Sequence, residues 1–334
     1  MHKTIVITSI YPPSPSITKW TAFADWKVVV AGDQKTPVDW NWHPATYLSV
    51  ADQESAQFQI APLLPWNHYA RKLMGYLAAI QQGAEIILDT DDDNMPKSDW
   101  SIPEFDGNYL MTPPGMGFIN VYSYFTDQHI WPRGFPLNRV CDPAARLAAA
   151  SMKTAPVRIG IWQGLADGDP DVDAIYRMTV NTPCLFDFKC PLVLNTGTVS
   201  PFNSQNTAFI RPVFALLYLP ASVSFRSTDI IRGLVAQPIL WSAGYSLGFT
   251  RATVVQDRNA HQYLSDFESE IPCYLHAEKI LDVVEGGVSS RFSIETNLVN
   301  AYENLIRHDL MPACEMELIL AWVRDIQNLA GNPS

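Results

Sequence analysis

Long hydrophobic runs are what this sequence of 334 residues most clearly lacks. The nearest candidate, residues 209–225, is interrupted by Arg211 and two prolines, so no stretch reaches the roughly 18 apolar residues that a membrane-spanning helix requires. The first ten residues contain one lysine and a short strand-like run, which is shorter than the apolar core of a signal peptide. The sequence therefore predicts a soluble, cytoplasmic protein without a transmembrane segment.

Cysteines are few and scattered. The chain has five of them, an odd number, and none forms a C-x-x-C pair. A disulfide framework and a structural zinc site are therefore not expected. Free thiols fit a reducing compartment.

Positive charge is also scarce. The net charge is -11, from 23 basic and 34 acidic side chains, which argues against a nucleic-acid-binding surface because that would need a basic stripe. A local basic pocket for phosphate remains compatible with this balance. No internal repeat or low-complexity linker is visible, and a hydrophobic content of 47% predicts a large core in one main domain.

The first hundred residues show alternating strand and helix patterns. Apolar, β-branched runs at residues 4–10, 26–31 and 84–88 predict strands, and helical spacing over 66–82 ends at Gly83, a residue suited to a helix terminus. This order predicts an α/β fold with a mostly parallel sheet. In such sheets ligands bind beyond the carboxyl ends of the strands.

Other elements follow weaker patterns. Helices are predicted over residues 18–25, 45–55, 169–178, 228–241 and in two or three pieces over 289–329; strands are predicted over 118–125 and 191–199.

An acidic run directly follows the third strand. It consists of Asp89, Asp91, Asp92 and Asp93, and carboxylates this close together repel one another unless a cation separates them. Carboxylate ligands suit Mn²⁺ or Mg²⁺, which also bind diphosphates. We therefore expect Asp91 and Asp93 to be metal ligands and Asp92 to face the bound ligand. The alternative is a solvated acidic turn.

Candidate phosphate and nucleotide contacts lie near this run. Arg71 and Lys72 begin the helix before the third strand, where cations could contact phosphate oxygens, although a solvated helix face is the alternative. Asp33 and Lys35 follow the second strand, and Tyr11 follows the first. Asp33 could accept a hydrogen bond from a base, whereas an ordinary strand-ending turn is the competing interpretation.

Two later segments carry catalytic candidates. Asp229 and Arg232 stand at a predicted helix start, where Asp229 is either a general base, an acceptor-binding carboxylate, or a residue that stabilises the positive end of the helix. Arg258 could neutralise a leaving diphosphate, and His261 could complete a metal shell. A structural histidine is the alternative for His261.

The loop 131–136 (WPRGFP) is dense in special residues. Arg133 is a candidate for binding the donor, and Trp131 or Phe135 could stack on a sugar face. A rigid packing loop is the alternative.

Eight segments of this sequence, in the same order, resemble the STELLO glycosyltransferase-like proteins. The resemblance runs from about residue 20 to about residue 275, with less coverage after that. The segments are VVVAGDQKTP (28–37), YLSVADQ (47–53), RKLMGYLAAIQQGAEIILDTDDDN (71–94), NVYSYF (120–125), WPRGFPL (131–137), DVDAIYR (171–177), STDIIRG (227–233) and QDRNAH (256–261).

More distantly, the chain looks like the UDP-arabinopyranose mutases, or reversibly glycosylated polypeptides. Those proteins have a triple-aspartate metal motif after a similar helix and strand, and an Arg-Gly-aromatic-Pro stretch similar to residues 133–136. A glycosylated arginine follows that stretch in them, and Arg139 lies near its position here with different spacing.

The resemblance implies a GT-A-like fold with a Rossmann-like sheet over residues 1–275, a C-terminal helical extension over 276–334, and a UDP-linked sugar donor. The expected function is metal-dependent transfer of that sugar to a carbohydrate or other small acceptor. Two alternatives stay open: a nucleotide-sugar mutase, and a non-catalytic protein that binds a nucleotide sugar or scaffolds other enzymes. A homo-oligomer also stays open.

Overall fold

A computed structural model describes residues 1–147, 151–256 and 262–331 of the chain. The strands of this described part are β1 (Lys3–Thr8), β2 (Trp26–Ala31), β3 (Thr46–Leu48), β4 (Ile86–Thr90), β5 (Asn94–Pro96), β6 (Asp106–Met111), β7 (Gly117–Phe118), β8 (Lys153–Gly168), β9 (Leu192–Val193), β10 (Thr198–Val199), β11 (Asn206–Ile210) and β12 (Ser246–Gln256). The helices are α1 (Pro15–Trp20), α2 (Val50–Ser55), α3 (Lys72–Gln81), α4 (Tyr122–Phe125), α5 (Ala174–Thr179), α6 (Thr228–Ser242), α7 (Tyr263–Glu285), α8 (Ile294–Arg307) and α9 (Glu315–Gly331).

A mixed sheet forms the centre of the molecule. Ten of the described strands join it in the order β3-β2-β1-β4-β11-β8-β6-β9-β12-β5, while β7 and β10 pair separately. Neighbours among the first four strands are parallel, as the sequence predicts, whereas β11 is antiparallel to both β4 and β8. The α/β, GT-A-like fold is thus confirmed, with a parallel half and a mixed half.

Both faces of the sheet are covered, which explains the continuous apolar runs in its parallel strands. Side chains of a strand alternate between faces, so Val6 joins the larger core with α3 while Ile5 and Ile7 join the smaller one. The larger core also takes in helices α6 to α9. The smaller core is closed by α1 and a cluster of aromatic rings that includes Trp20 and Trp100.

Several predicted elements differ from the structure. The helix expected over 169–178 begins only at residue 174, where the side chain of Asp173 caps it, and ends at residue 179. The strand expected over 118–125 is wrong: β7 ends at Phe118 and residues 122–125 are helical. The strand expected over 191–199 is split into β9 and β10. The helix expected over 18–25 lies at residues 15–20. The helix expected over 45–55 starts only at residue 50, because Ser49 and Asp52 form a reciprocal cap there.

The C-terminal helices pack into the main core. Trp322 of α9 is fully buried and donates its indole N–H to the carbonyl of Ala215 at 2.9 Å. Asp325, also on α9, accepts the backbone N–H groups of Gln59 and Ile60 at 2.9 and 3.0 Å. The boundary expected between residues 275 and 276 falls inside α7, and the division into two domains stays a prediction. None of the described helices is both long and apolar enough to cross a bilayer.

Glu315, at the first turn of α9, offers a test of this packing. Its buried carboxylate accepts the hydroxyl of Tyr218 and the backbone N–H groups of Ala221 and Ser222. Because each buried donor left unpaired costs about 1–3 kcal/mol, we expect Glu315→Ala to lower the free energy of unfolding by about 2–4 kcal/mol in urea denaturation. Glu317→Ala is the matched control, since Glu317 occupies the same helix turn but is exposed. Equal losses in the two variants would contradict a structural role for α9 in the main core.

Candidate functional site

A cavity of about 480 Å³ opens at the carboxyl edge of the sheet. Ser9 follows β1, Asp33 follows β2 and Asp91 follows β4, and all three side chains line the cavity. Gln256, at the end of β12, and Asp229, at the start of α6, line its other walls. The convergence of Asp33 with the acidic run, which the sequence predicts, is therefore present.

Beneath the cavity floor, Asp89 forms a buried ion cluster. Its Oδ1 lies 2.6 Å from Lys72 Nζ and its Oδ2 lies 2.7 Å from Arg232 Nη1, with all three side chains at 1% exposure or less. Burial alone would raise the pKa of Asp89, but the two cations outweigh it and the net pKa is lowered. The pKa of Lys72 is correspondingly raised, since Asp89 and Asp91 outweigh the effect of burial. The cluster is ionised at neutral pH.

Asp91 lies between this buried cluster and the cavity, and its side chain lines the cavity. Its side chain keeps 29% exposure, and its Oδ1 accepts both Lys72 Nζ at 2.9 Å and the Tyr69 hydroxyl at 2.5 Å. Burial raises the pKa of Asp91 to about 6, with Lys72 opposing and Asp93 adding to the rise. Burial likewise keeps the pKa of Tyr69 well above its usual value, so the phenol remains a hydrogen-bond donor.

Asp92 and Asp93 complete the acidic turn. Asp92 accepts the hydroxyl of Ser9, and burial raises its pKa to about 6. Asp93 Oδ2 accepts the side-chain amide of Gln256 at 3.0 Å, which joins the acidic turn to the end of β12.

This donor set fits a hard divalent cation that is shared with a ligand. Within the described residues, no three histidine, cysteine or acidic side chains converge as a preformed metal cage. Mg²⁺-type sites commonly use only one or two carboxylates and take their other ligands from phosphates and water. The carboxylates of Asp91 and Asp93 at an open cavity meet that requirement, and no cysteine, the thiolate ligand of structural zinc sites, is in the described lining.

Asp33 lines the end of the cavity that lies beyond β2. Its Oδ1 accepts the backbone N–H of Asn67 at 2.8 Å and its Oδ2 that of His68 at 3.3 Å, and Asn67 takes a left-handed φ of 56° in this turn. His68 Nδ1 accepts Ala70 N–H, so its Nε2 carries the proton that is donated to the carbonyl of Val223. Lys35 and Tyr11 are exposed and line the same end of the cavity.

Arg133 occupies another wall, held between two carboxylates. Its guanidinium makes paired hydrogen bonds of 2.8 Å to Asp171, and bonds of 3.1 and 2.9 Å to Asp229. The remaining N–H points to the carbonyl of Arg226, so all five donors of Arg133 are engaged. Both oxygens of Asp229 also accept a backbone N–H, from Ile230 and Ser204.

The described lining contains Tyr11, Asp33, Lys35, Asp91, Asp92, Asp93, Arg133 and Asp229 of the predicted site residues. Arg71 and Arg232 are not brought to it. Arg71 is 1% exposed, bonds Gln53 Oε1 at 2.7 Å and stacks on Trp66, and burial lowers its pKa to about 10. Lys72 is fully buried below Asp91. Arg258 and His261 lie outside the described residues.

Trp131, Phe135 and Arg139 also lie away from the lining. Trp131 and Phe135 are buried at 5% and 1% exposure, so neither is placed to stack on a sugar. Gly134 between them has a left-handed φ of 84° and sits so close to Ile230 that a larger residue would clash. Besides Tyr11, a half-exposed aromatic ring at the cavity is Phe225. The sequence analysis missed Phe225 and six other lining residues: Ser9, Tyr69, Asp171, Asn203, Gln205 and Gln256.

Fold and cavity together define the class: an α/β protein of GT-A-like architecture with an acidic ligand cavity at the carboxyl edge of its sheet. The family model of the STELLO glycosyltransferases matches residues 226–332. The chain is 27% identical to "Probable glycosyltransferase STELLO2" and 26% identical to "Probable glycosyltransferase STELLO1", both of Arabidopsis thaliana. Each alignment covers 97% of this chain and 44% of the relative, so the chain spans less than half the length of these relatives.

The resemblance to the STELLO glycosyltransferases is thereby confirmed. The family match continues through α8 and α9, a region that the sequence resemblance covers less well. This agrees with the packing of both helices into the main core.

Asp89 offers a stability test of the buried ion cluster. Asp89→Asn leaves Lys72 and Arg232 buried without their shared carboxylate, so we expect the free energy of unfolding to fall by about 3–5 kcal/mol. Asp99→Asn is a matched control, because Asp99 also lies 2.7 Å from an arginine, Arg251, but is 58% exposed. An exposed pair contributes only about 0–1 kcal/mol. Chemical denaturation of both variants measures the difference, and similar losses would refute the importance of burial.

Proposed function

We propose that this chain is a metal-dependent glycosyltransferase that takes its sugar from a UDP-linked donor and passes it to a neutral, hydroxyl-rich acceptor. The observation that carries this proposal is the meeting of Asp33, Asp91 and Asp93 in one cavity at the carboxyl ends of parallel strands. The resemblance to glycosyltransferases supports the type of reaction.

The acidic turn is the centre of the proposed donor site. Asp91 and Asp93 would hold Mn²⁺ or Mg²⁺, which supplies positive charge to the diphosphate as it departs. Asp92, held by Ser9, shapes the turn between them. Lys72 and Arg232 act from below, by fixing Asp91 and Asp89, and do not contact phosphate.

The nucleotide fits the end of the cavity around Asp33. This carboxylate is held in place by the two amides of residues 67 and 68, so its orientation is set before a ligand arrives. Tyr11 offers a ring face to the base and Lys35 a charge to the phosphates, and both are exposed at the cavity wall.

The acceptor fits the end around Arg133. Arg133 is paired with Asp171 and Asp229, and the neighbouring Arg226 is paired with Glu270, so the carboxylates outnumber the guanidinium groups and this wall has a net negative charge. Such a wall repels anionic acceptors. Asp229 already receives four hydrogen bonds, which favours a positioning role toward Arg133 over the general-base role that the sequence suggests.

Removing the proposed metal ligands tests the donor site. We expect Asp91→Asn and Asp93→Asn each to weaken Mn²⁺-dependent UDP binding about 10- to 100-fold, the loss that corresponds to one charge-assisted contact. Isothermal titration of UDP with and without Mn²⁺ measures this. Asp106→Asn is the control, since Asp106 is 79% exposed on β6 and does not line the cavity. Unchanged affinity in both ligand variants would sink the metal assignment.

The donor itself can be found by a thermal-shift screen of nucleotide sugars with and without Mn²⁺. A ligand that binds only the folded state raises the unfolding temperature, so we expect UDP-sugars to give the largest Mn²⁺-dependent rise. UDP release from the best donor then separates an enzyme from a non-catalytic binding protein. Binding without turnover under any tested acceptor would favour the latter.

The role of Asp229 is tested by its amide and alanine variants. If Asp229 positions Arg133, Asp229→Asn keeps an oxygen for the guanidinium, and we expect UDP release to slow less than about tenfold, whereas loss of a general base costs roughly 10²–10⁴. Asp229→Ala removes that oxygen and should be the slower of the two. An Asp229→Asn enzyme that is folded, binds donor normally and is more than 100-fold slow would establish the base role instead.

A further inference from the structure

Two donors converge on one oxygen of Asp91 from the interior of the protein. Tyr69 Oη lies 2.5 Å and Lys72 Nζ 2.9 Å from Oδ1, and neither reaches Oδ2. Lys72 also donates to the Tyr69 hydroxyl at 3.0 Å, so the ammonium, the phenol and the carboxylate form a closed triangle. The triangle leaves Oδ2 as the oxygen of Asp91 that is available to a ligand in the cavity.

We propose that Tyr69 and Lys72 are positioning residues that hold Asp91 as a one-oxygen ligand for the cation. This inference rests on the proposed function, in which Asp91 binds the metal. It replaces the phosphate contact that the sequence suggests for Lys72, because a fully buried ammonium beneath Asp91 does not reach the cavity.

The local fold explains why these two side chains act together. Tyr69 belongs to a 3₁₀ turn and Lys72 begins α3 directly after it, so the two residues, three apart, lie on the same face. Lys72 Nζ lies 4.9 Å from the centre of the Tyr69 ring and donates to the carbonyl of Thr90 at 2.7 Å. The position of the ammonium is therefore fixed by the end of β4, the strand that carries Asp91.

Phe225 holds the Tyr69 ring from the cavity side. The two rings meet edge to face, with centroids 5.4 Å apart and an angle of 84° between their planes. Such contacts are geometrically specific, and this one leaves the phenol directed toward Asp91. A sugar or acceptor that touches Phe225 would thereby touch the support of the metal ligand.

Tyr69→Phe tests the proposal more cleanly than a change at Lys72, because Lys72 also neutralises Asp89 and its loss would disturb folding. Tyr76→Phe is the matched control. Tyr76 lies on α3, two turns after Tyr69, and is fully buried; its hydroxyl interacts with Asp89 and makes no hydrogen bond to Asp91. Each variant loses one phenolic oxygen from the same segment, but only Tyr69→Phe loses a contact with Asp91.

The measurement is Mn²⁺ affinity in the presence of saturating UDP, read from the electron paramagnetic resonance signal of free Mn²⁺. Removing a residue that orients a metal ligand typically costs about 10- to 100-fold in affinity, and we expect that loss in Tyr69→Phe alone. The unfolding temperature without metal, which a purely structural role would lower, should match that of Tyr76→Phe.

The outcomes separate this inference from the proposed function. Normal Mn²⁺ affinity in Tyr69→Phe, with tight binding by the unchanged protein, would overturn the positioning role and leave the metal site standing. Equal weakening in both tyrosine variants would also overturn it. If the unchanged protein binds no Mn²⁺ with UDP, the metal-dependent function and this inference both fail.

Discussion

The buried carboxylate of Asp89 is the constraint around which the site is built. A single anion at the end of β4 pairs with Lys72 from α3 and Arg232 from α6, and all three side chains are removed from water. Buried ions of this kind are costly unless every partner is present. The cluster therefore ties the two helices to the strand and fixes where β4 stops and the acidic turn begins.

This arrangement divides the acidic run into two levels with different roles. Asp89 faces the interior and is neutralised by the protein, whereas Asp91, Asp92 and Asp93 line the cavity and are crowded together. Lys72 links the levels because its ammonium contacts both Asp89 and Asp91. In the proposed function, a cation from solution would be needed only by the three carboxylates at the cavity, which is also where a diphosphate would share it.

Sequence reasoning finds the parallel strands and the acidic edge because both follow from local patterns. The apolar runs of β1, β2 and β4 predict strands, and the helical spacing of α3 predicts the helix between them. Because the carboxyl ends of parallel strands lie at one edge of the sheet, Asp33 and Asp91 are then expected to lie close together. It misses β8, whose sixteen residues include Pro156 and three glycines and whose partner β12 lies some ninety residues later. It also misplaces Lys72 and Arg232, because basic residues are usually exposed and only the three-dimensional position of Asp89 shows why these two are not.

The C-terminal helices also support the cavity, through a loop that borders it. Glu315 of α9 binds the backbone at residues 221 and 222, and the carbonyl of Val223 in that loop accepts His68 Nε2. His68 in turn shares Asp33 with Asn67, so a continuous chain of contacts joins α9 to the proposed nucleotide end. A family match that spans residues 226–332 is then understandable in physical terms: those residues supply Arg232 to the buried cluster and Glu315 to the loop that borders the cavity. The helices are thus part of the site's support, whether or not they also form a separate domain.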